Sequence, residues 1–304
     1  MIWRLGADSK VACRCASTRE PDGVDTAPRS RNAAGHMKRH KYVHGYSERE
    51  STRLQDQSRT LAELLHHDTV YPPGARVLEA GCGVGAQTGV LARNSPGALF
   101  TSVDLSPASL EAARLAVARA GFSNVTFQVA DIFQLPFAEG SFDHVFVCFV
   151  LEHLPRPLEA LQHLLKVLKP GGSLTVIEGD HGSTFFHPHS ETAWRTIRCL
   201  IDLQARLGGD ALIGRRLFPL LKQAGLRNVA VSPRFVYADS SRPEWVEGFT
   251  EKTYVAMVES VRTAALAAGM IDLATWEQGI ADLRAAAGSD GTFCYTFFKG
   301  TAIK

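Results

Sequence analysis

The chain lacks any apolar run near the ~20 residues a membrane span requires; its densest patch, Val145–Leu151, is only strand length. Neither sign of charge dominates. With 33 Lys and Arg against 31 Asp and Glu the net charge is +2, which gives no reason to expect a nucleic-acid partner. The one basic cluster, Arg29, Arg31, Lys38, Arg39 and Lys41, reads as a solvated tail. Six cysteines, at 13, 15, 82, 148, 199 and 294, form neither a zinc spacing nor a disulfide framework, which points to a reducing cytoplasm. Histidines and carboxylates do not fall at metal-ligand spacing, so no metal is expected. Residues 1–36 have no hydrophobic periodicity and no apolar segment of a secretory signal. A disordered tail is expected there, with Met37 as an alternative start.

What the chain does have is glycine concentrated at one turn. Residues 77–88 read Val-Leu-Glu-Ala-Gly-Cys-Gly-Val-Gly-Ala-Gln-Thr, an apolar strand end, three alternating glycines and the start of a helix. Glycines at such a turn permit positive φ and let a ligand lie against the backbone. Gly81-x-Gly83-x-x-Ala86 also fits the dinucleotide pattern. Glu79, two residues before the first glycine, and the segments that follow distinguish the two.

Those segments come in a regular order. The strand Ala98–Val103 ends in Asp104, followed by Leu105-Ser106-Pro107 and a helix through Ala120. Val125–Val129 ends in Ala130-Asp131-Ile132. Ser141–Val147 runs into Leu151-Glu152-His153-Leu154, and Lys169-Pro170-Gly171-Gly172 turns into Ser173–Glu178. Over residues 74–180 the chain resembles the class I S-adenosylmethionine-dependent methyltransferases. The alternation of strands and helices itself predicts a parallel sheet covered on both faces.

The resemblance implies a Rossmann-like, doubly wound α/β fold with a seven-stranded, mostly parallel sheet whose last strand is antiparallel. A helical cap is expected over 37–73, where Ser47-Glu-Arg-Glu50 matches a capping box and Leu54, Leu61, Leu64 and Leu65 share a face. After the core, 181–213 reads as a substrate-side segment, with a histidine-rich loop over His181–Ser190 and a helix over Glu191–Leu207. The remainder, 214–304, carries the last two strands with a helical insertion over 241–290. A short connection is usual in the resembled family, so the insertion is a departure that forms a lid over the substrate.

The resemblance also implies S-adenosylmethionine as cofactor. Asp104 would hold the ribose diol and Asp131 the adenine amino group, with Leu105 and Ile132 flanking the ring. Gly81, Gly83 and Gly85 would admit the methionine portion near Glu79. Other roles stand beside these: Glu79 bracing the loop, and Asp104 serving as a helix cap. Arg53 and Gln57, four apart on the first helix, would reach the methionine carboxylate, or Arg53 would form a surface pair with Glu50.

Methyl transfer from a sulfonium is driven mainly by alignment, and an oxygen or nitrogen acceptor that must lose a proton calls for a base. The positions past the fourth and fifth strands nominate His153, Asp180 and His181. Tyr42, Tyr46, Phe186, Trp245, Phe249 and Tyr254 are candidates for lining a pocket for a bulky apolar acceptor. The expected function is methylation of a small, largely apolar metabolite of specialised metabolism at oxygen, nitrogen or carbon, including alkene methylation with cyclisation. A non-catalytic regulator that binds the cofactor is an alternative. So is an NAD(P)-dependent oxidoreductase, which leaves Glu79 and the Asp131 segment unexplained and has no Tyr-x-x-x-Lys dyad. The helical insertion also suits a homo-oligomer interface.

Overall fold

The structure is a computed structural model and describes residues 48–304. Tyr42, Tyr46 and Ser47 of the capping box lie outside the described residues. The elements run α1 (Glu48–His66), β1 (Arg76–Ala80), α2 (Thr88–Asn94), β2 (Leu99–Asp104), α3 (Pro107–Arg119), β3 (Val125–Val129), β4 (Phe142–Cys148) and α4 (Pro157–Val167). They continue as β5 (Leu168–His187), α5 (Glu191–Arg206), α6 (Leu217–Gln223), β6 (Arg227–Asp239), a π-helix with four α-helices, and β7 (Thr292–Ile303).

The strands form one seven-stranded sheet in the order β3-β2-β1-β4-β5-β7-β6. The pairs among β1 to β5 are parallel, and β7 is antiparallel to both β5 and β6. Strand order therefore reverses between β1 and β4, the topological switch point where open α/β sheets bind ligands.

Both faces of the sheet are apolar, as the near-continuous hydrophobic strands require. Side chains alternate along each strand. Val77, Phe146 and Ile177 enter one core with α1 and α5, while Leu78, Val145 and Val176 enter the other with α4 and α6. All six are fully buried, each contributing roughly 1.5–3 kcal/mol of burial. The end of α1 is tied to the sheet by Lys299 of β7. Its ammonium donates to Leu65 O at 3.2 Å, Thr69 Oγ1 at 2.6 Å and Asp68 Oδ1 at 2.5 Å.

Strand β5 departs from the sequence expectation. Its 20 residues continue past Glu178 to His187, so most of the expected histidine-rich loop is strand. Backbone pairing to β7 holds it there, with Phe185, Phe186 and His187 opposite Cys294, Phe293 and Thr292 after a register shift. Gly182 and Ser183 lower the strand propensity locally, and long-range pairing overrides it.

The expected helical insertion over 241–290 is present. It comprises α7 (Pro243–Trp245), a π-helix (Val246–Val255), α8 (Ala256–Ser260), α9 (Arg262–Ala267) and α10 (Leu273–Ala285). The π-helix packs on α1, and α10 packs on α5. Gly248 permits the first contact, since a Cβ there would lie 2.3 Å from Thr60 Oγ1. Among the described residues no helix is long and apolar enough to cross a membrane.

Candidate active site

The carboxyl ends of the central strands open on a cavity of about 360 Å³. On the β1–β3 side it is lined by Glu79, Gly81, Gly83, Asp104, Leu105, Asp131 and Ile132. The three glycines of the turn all have positive φ, +79° at Gly81, +52° at Gly83 and +77° at Gly85. Their surroundings differ. A Cβ on Gly85 would lie 2.9 Å from Ala113 Cβ, so this glycine brings the loop onto α3 and does not line the cavity. A Cβ on Gly83 would meet nothing within 4 Å, leaving its backbone open to the cavity.

Glu79 is 2% exposed, and its Oε2 accepts hydroxyls from Thr88 at 2.7 Å and Ser102 at 2.6 Å. It thus braces the glycine turn against β2 while also facing the cavity. Burial pushes its carboxyl up to about 7, against the pull of the two hydroxyls. Asp104 accepts Gly83 N–H and Ser106 N–H, each at 2.9 Å. The cap of α3 is Ser106 itself, whose Oγ accepts Ser109 N–H at 3.2 Å. Burial raises the Asp104 carboxyl above its ordinary range. Asp131 Oδ1 accepts Phe133 N–H at 2.9 Å, fixing the turn after β3.

Arg53 and Gln57 point inward. Arg53 Nη1 donates to Gln57 Oε1 at 3.0 Å; both residues are buried and both line the cavity.

The other side of the cavity is largely aromatic and is built by β4, β5, β7 and the π-helix. Phe149 follows β4 at φ +57°, an unusual conformation for a bulky residue and of the kind that clusters at functional sites. Phe249 and Tyr254 come from the π-helix, and Tyr295 and Phe297 from β7. Phe186 and Trp245 do not reach this cavity. Phe186 stacks on Trp194 with ring centroids 6.0 Å apart, and Trp245 borders a separate outer depression with Asp56 and Arg59.

His153 and His181 both line the cavity, and Asp180 does not. Consecutive strand residues face opposite ways. The Asp180 carboxylate is engaged by Arg215, whose Nε donates to Oδ2 at 2.6 Å and Nη2 to Oδ1 at 2.8 Å. This bidentate pair gives Asp180 a structural role in place of the base expected from sequence.

His181 is 4% exposed, and its Nδ1 lies 2.7 Å from the Tyr295 hydroxyl. Among the described residues its Nε2 has no hydrogen-bond partner. Burial lowers its pKa and keeps the imidazole neutral, with His153 and Arg53 acting in the same direction and Glu152 opposing them.

Glu152, which the sequence reading passed over, is buried and lines the same cavity. Its Oε2 lies 3.8 Å from His181 Nε2, and its Oε1 lies 3.6 Å from His153 Nε2. Gln204 Nε2 holds it, donating to its carbonyl at 3.0 Å and to Oε2 at 3.2 Å. The segment is fixed from below by the buried Glu178, which accepts Val150 N–H at 3.1 Å and Leu151 N–H at 2.8 Å. Two sequence signals pointed this way: Glu152 adjoins His153, and the i, i+2 spacing of Phe293, Tyr295 and Phe297 puts three rings on one face of a strand.

Comparison with known proteins bears on the family and the fold. Residues 78–176 match the methyltransferase domain family. The chain is 33% identical over 201 residues to an uncharacterized 37.1 kDa protein in transposon TN4556 of Streptomyces fradiae, covering 65% of this chain and 57% of that one. It is 32% identical over 126 residues to the methyltransferase GfsG of Streptomyces halstedii, covering 41% and 45%. The chain thus spans about half the length of these relatives. Among solved structures, the [4+2]-cyclase SpnF shares the fold with a TM-score of 0.51 at 24% identity, covering 81% of each chain. Residues 78–176 thus carry a methyltransferase domain of the class I S-adenosylmethionine-dependent type.

Proposed function

We propose that the protein methylates a small, largely apolar metabolite. The observation that carries this reading is a single cavity in which a glycine-and-carboxylate side continues into an aromatic side. Residues of the first side suit S-adenosylmethionine chemically. Gly83 offers open backbone, and Asp104 and Asp131 offer carboxylates held at strand ends for hydroxyl and amino donors. Arg53, paired with Gln57, offers a guanidinium to a carboxylate. The bound cofactor supplies an electrophilic methyl group on a sulfonium.

The chain's own residues position the acceptor and exclude water. Phe249 and Tyr254 of the π-helix, with Phe149, Tyr295 and Phe297, give a wall suited to a bulky apolar compound. π-Helical segments are rare and frequent at functional sites. The helical insertion is accordingly the substrate-side lid in this reading. Glu152, His153 and His181 are the polar groups on the wall able to engage the reacting atom.

The test uses the full chain with deuteriomethyl-labelled S-adenosylmethionine and a panel of apolar phenols, amines and alkenes. Mass-spectrometric transfer of the label to a panel compound supports the reading. A protein that binds the cofactor and labels none of them contradicts it and favours the regulator.

A further inference from the structure

We propose that the methyl acceptor is the hydroxyl of a phenol or enol, received between His181 Nε2 and Glu152 Oε2, with Glu152 as the proton acceptor. This deepens the proposed methyltransferase reading and rests on it.

The hydrogen-bond inventory sets the protonation pattern. His181 Nδ1 and the Tyr295 hydroxyl are 2.7 Å apart, so one of them donates. If Nδ1–H donated, the buried Tyr295 O–H would have no acceptor among the described residues. The lone pair of Nε2 would also face the Glu152 carboxylate at 3.8 Å, an unfavourable pairing. If Tyr295 donates to Nδ1, its proton is used and Nε2 carries the hydrogen toward the carboxylate. The second arrangement satisfies more groups, and the neutral state of the buried imidazole agrees with it. His181 therefore presents an N–H donor, and Glu152 presents an acceptor.

At 3.8 Å these two atoms are too far apart for a good hydrogen bond with each other. His181 Nε2 remains an orphaned polar atom in a cavity wall. The group that suits such a pair both accepts from N–H and donates to a carboxylate. A hydroxyl does both. An ammonium has no lone pair, a neutral amine has only one and cannot both accept with it and attack the methyl group, and a carbon acceptor neither accepts nor donates. A carboxylate is a weak base, so the acceptor is an acidic hydroxyl such as a phenol or enol, not an alkanol. The planar ring of a phenol also suits the wall formed by Phe149, Phe249 and Phe297.

In the reaction the O–H bond breaks and its proton passes to Glu152 Oε2. The oxygen electron pair forms the new O–C bond, and the S–C pair returns to sulfur. Products are a methyl ether and S-adenosylhomocysteine, and the Glu152 proton is later lost to water. Gln204 holds the carboxylate, and Tyr295 is a positioning residue that sets the His181 tautomer.

Two measurements test this. The first is nitrogen-15 NMR of histidine-labelled full chain saturated with S-adenosylhomocysteine, with His181 assigned from the His181→Asn variant. The Nε2–H tautomer is expected in the wild type and should be lost or mixed in Tyr295→Phe. An Nδ1–H tautomer in the wild type overturns the proposal. The second is labelled-methyl transfer to size-matched 1-naphthol, 1-naphthylamine and 1-vinylnaphthalene, with calorimetry of S-adenosylhomocysteine binding run in parallel. Transfer to 1-naphthol oxygen, reduced roughly 100-fold or more in Glu152→Gln with S-adenosylhomocysteine affinity within twofold of wild type, is the expected result. Transfer only to the amine or the alkene, no transfer to 1-naphthol, or undiminished 1-naphthol turnover in Glu152→Gln overturns it. Failure to bind S-adenosylhomocysteine at all overturns the underlying methyltransferase reading instead.

Discussion

Asp104 accepts the backbone N–H of Gly83 through one carboxylate oxygen, at 2.9 Å, and that of Ser106 through the other, also at 2.9 Å. One side chain thus ties the glycine turn to the start of α3 at the edge of the cavity. Asp104→Ala should weaken S-adenosylmethionine binding by roughly 1.5–3 kcal/mol, the value of hydrogen bonds to a charged group. Calorimetry on a variant with native circular dichroism checks this. Unchanged affinity would reduce Asp104 to a loop brace.

Gly83 and Gly85 should fail differently. At Gly85 an added methyl would collide with Ala113 Cβ at 2.9 Å and Cα at 3.0 Å, so Gly85→Ala should lower the unfolding free energy more than Gly83→Ala. Gly83→Ala should cost only about 1–2 kcal/mol of left-handed backbone strain, but should weaken cofactor binding because its methyl enters the open space. Denaturant melts and cofactor titrations on both variants separate the effects. Equal loss of affinity in the two variants would contradict the assignment of Gly83 to the cavity.

Of the aromatics in the insertion, Phe249 and Tyr254 face the cavity and Trp245 does not. Once an acceptor is in hand, Phe249→Ala and Tyr254→Ala should raise its KM severalfold with cofactor affinity nearly unchanged. Trp245→Ala should leave KM alone. Normal kinetics in all three variants, together with a change to monomer by light scattering, would make the insertion an oligomer interface.

The glycine-and-carboxylate side of the cavity was legible because its chemistry is local in sequence. Glu79, Gly81, Gly83 and Asp104 fall at fixed short distances from strand ends that hydrophobic patterning reveals. The aromatic side was less so because its residues meet through long-range pairing. Asp180 and His181 are neighbours in sequence, but on a strand they face opposite sides, one toward Arg215 and the other into the cavity. Read as loop residues, they looked equivalent. Glu152 and Tyr295 acquire their roles only when the extended β5 brings His181 between them, which the pairing with β7 decides.

Two buried groups give the ligand-free protein opposing pH dependences. His66, whose Nε2 lies 2.8 Å from Gln87 Oε1, is held at about 4 against an ordinary 6.5, mainly by burial. Between those values the unfolded chain binds a proton and the folded chain does not, so this contribution is complete above pH 6.5 and lost as pH falls toward 4. Its full size is on the order of 3 kcal/mol. Glu79 is raised to about 7 from 4.5, so it stays protonated in the folded chain while ionising in the unfolded one, and stability falls as pH rises across that window. The two windows overlap, so the contributions largely cancel in the wild type between about pH 4.5 and 6.5; His66→Gln should expose a fall of the urea midpoint as pH rises across that range, and Glu79→Gln should expose a rise. A parallel shift of the wild-type profile in either variant would show that the group does not titrate as described.

The central claim is that the cavity between the glycine turn and the aromatic wall is a site for S-adenosylmethionine. Isothermal titration of the purified full chain with S-adenosylmethionine, S-adenosylhomocysteine and NADH tests it most directly. Saturable one-to-one binding of the first two, both weakened by Asp104→Ala, and no heat from NADH is the predicted result. Saturable NADH binding with none for either adenosyl compound would contradict the account.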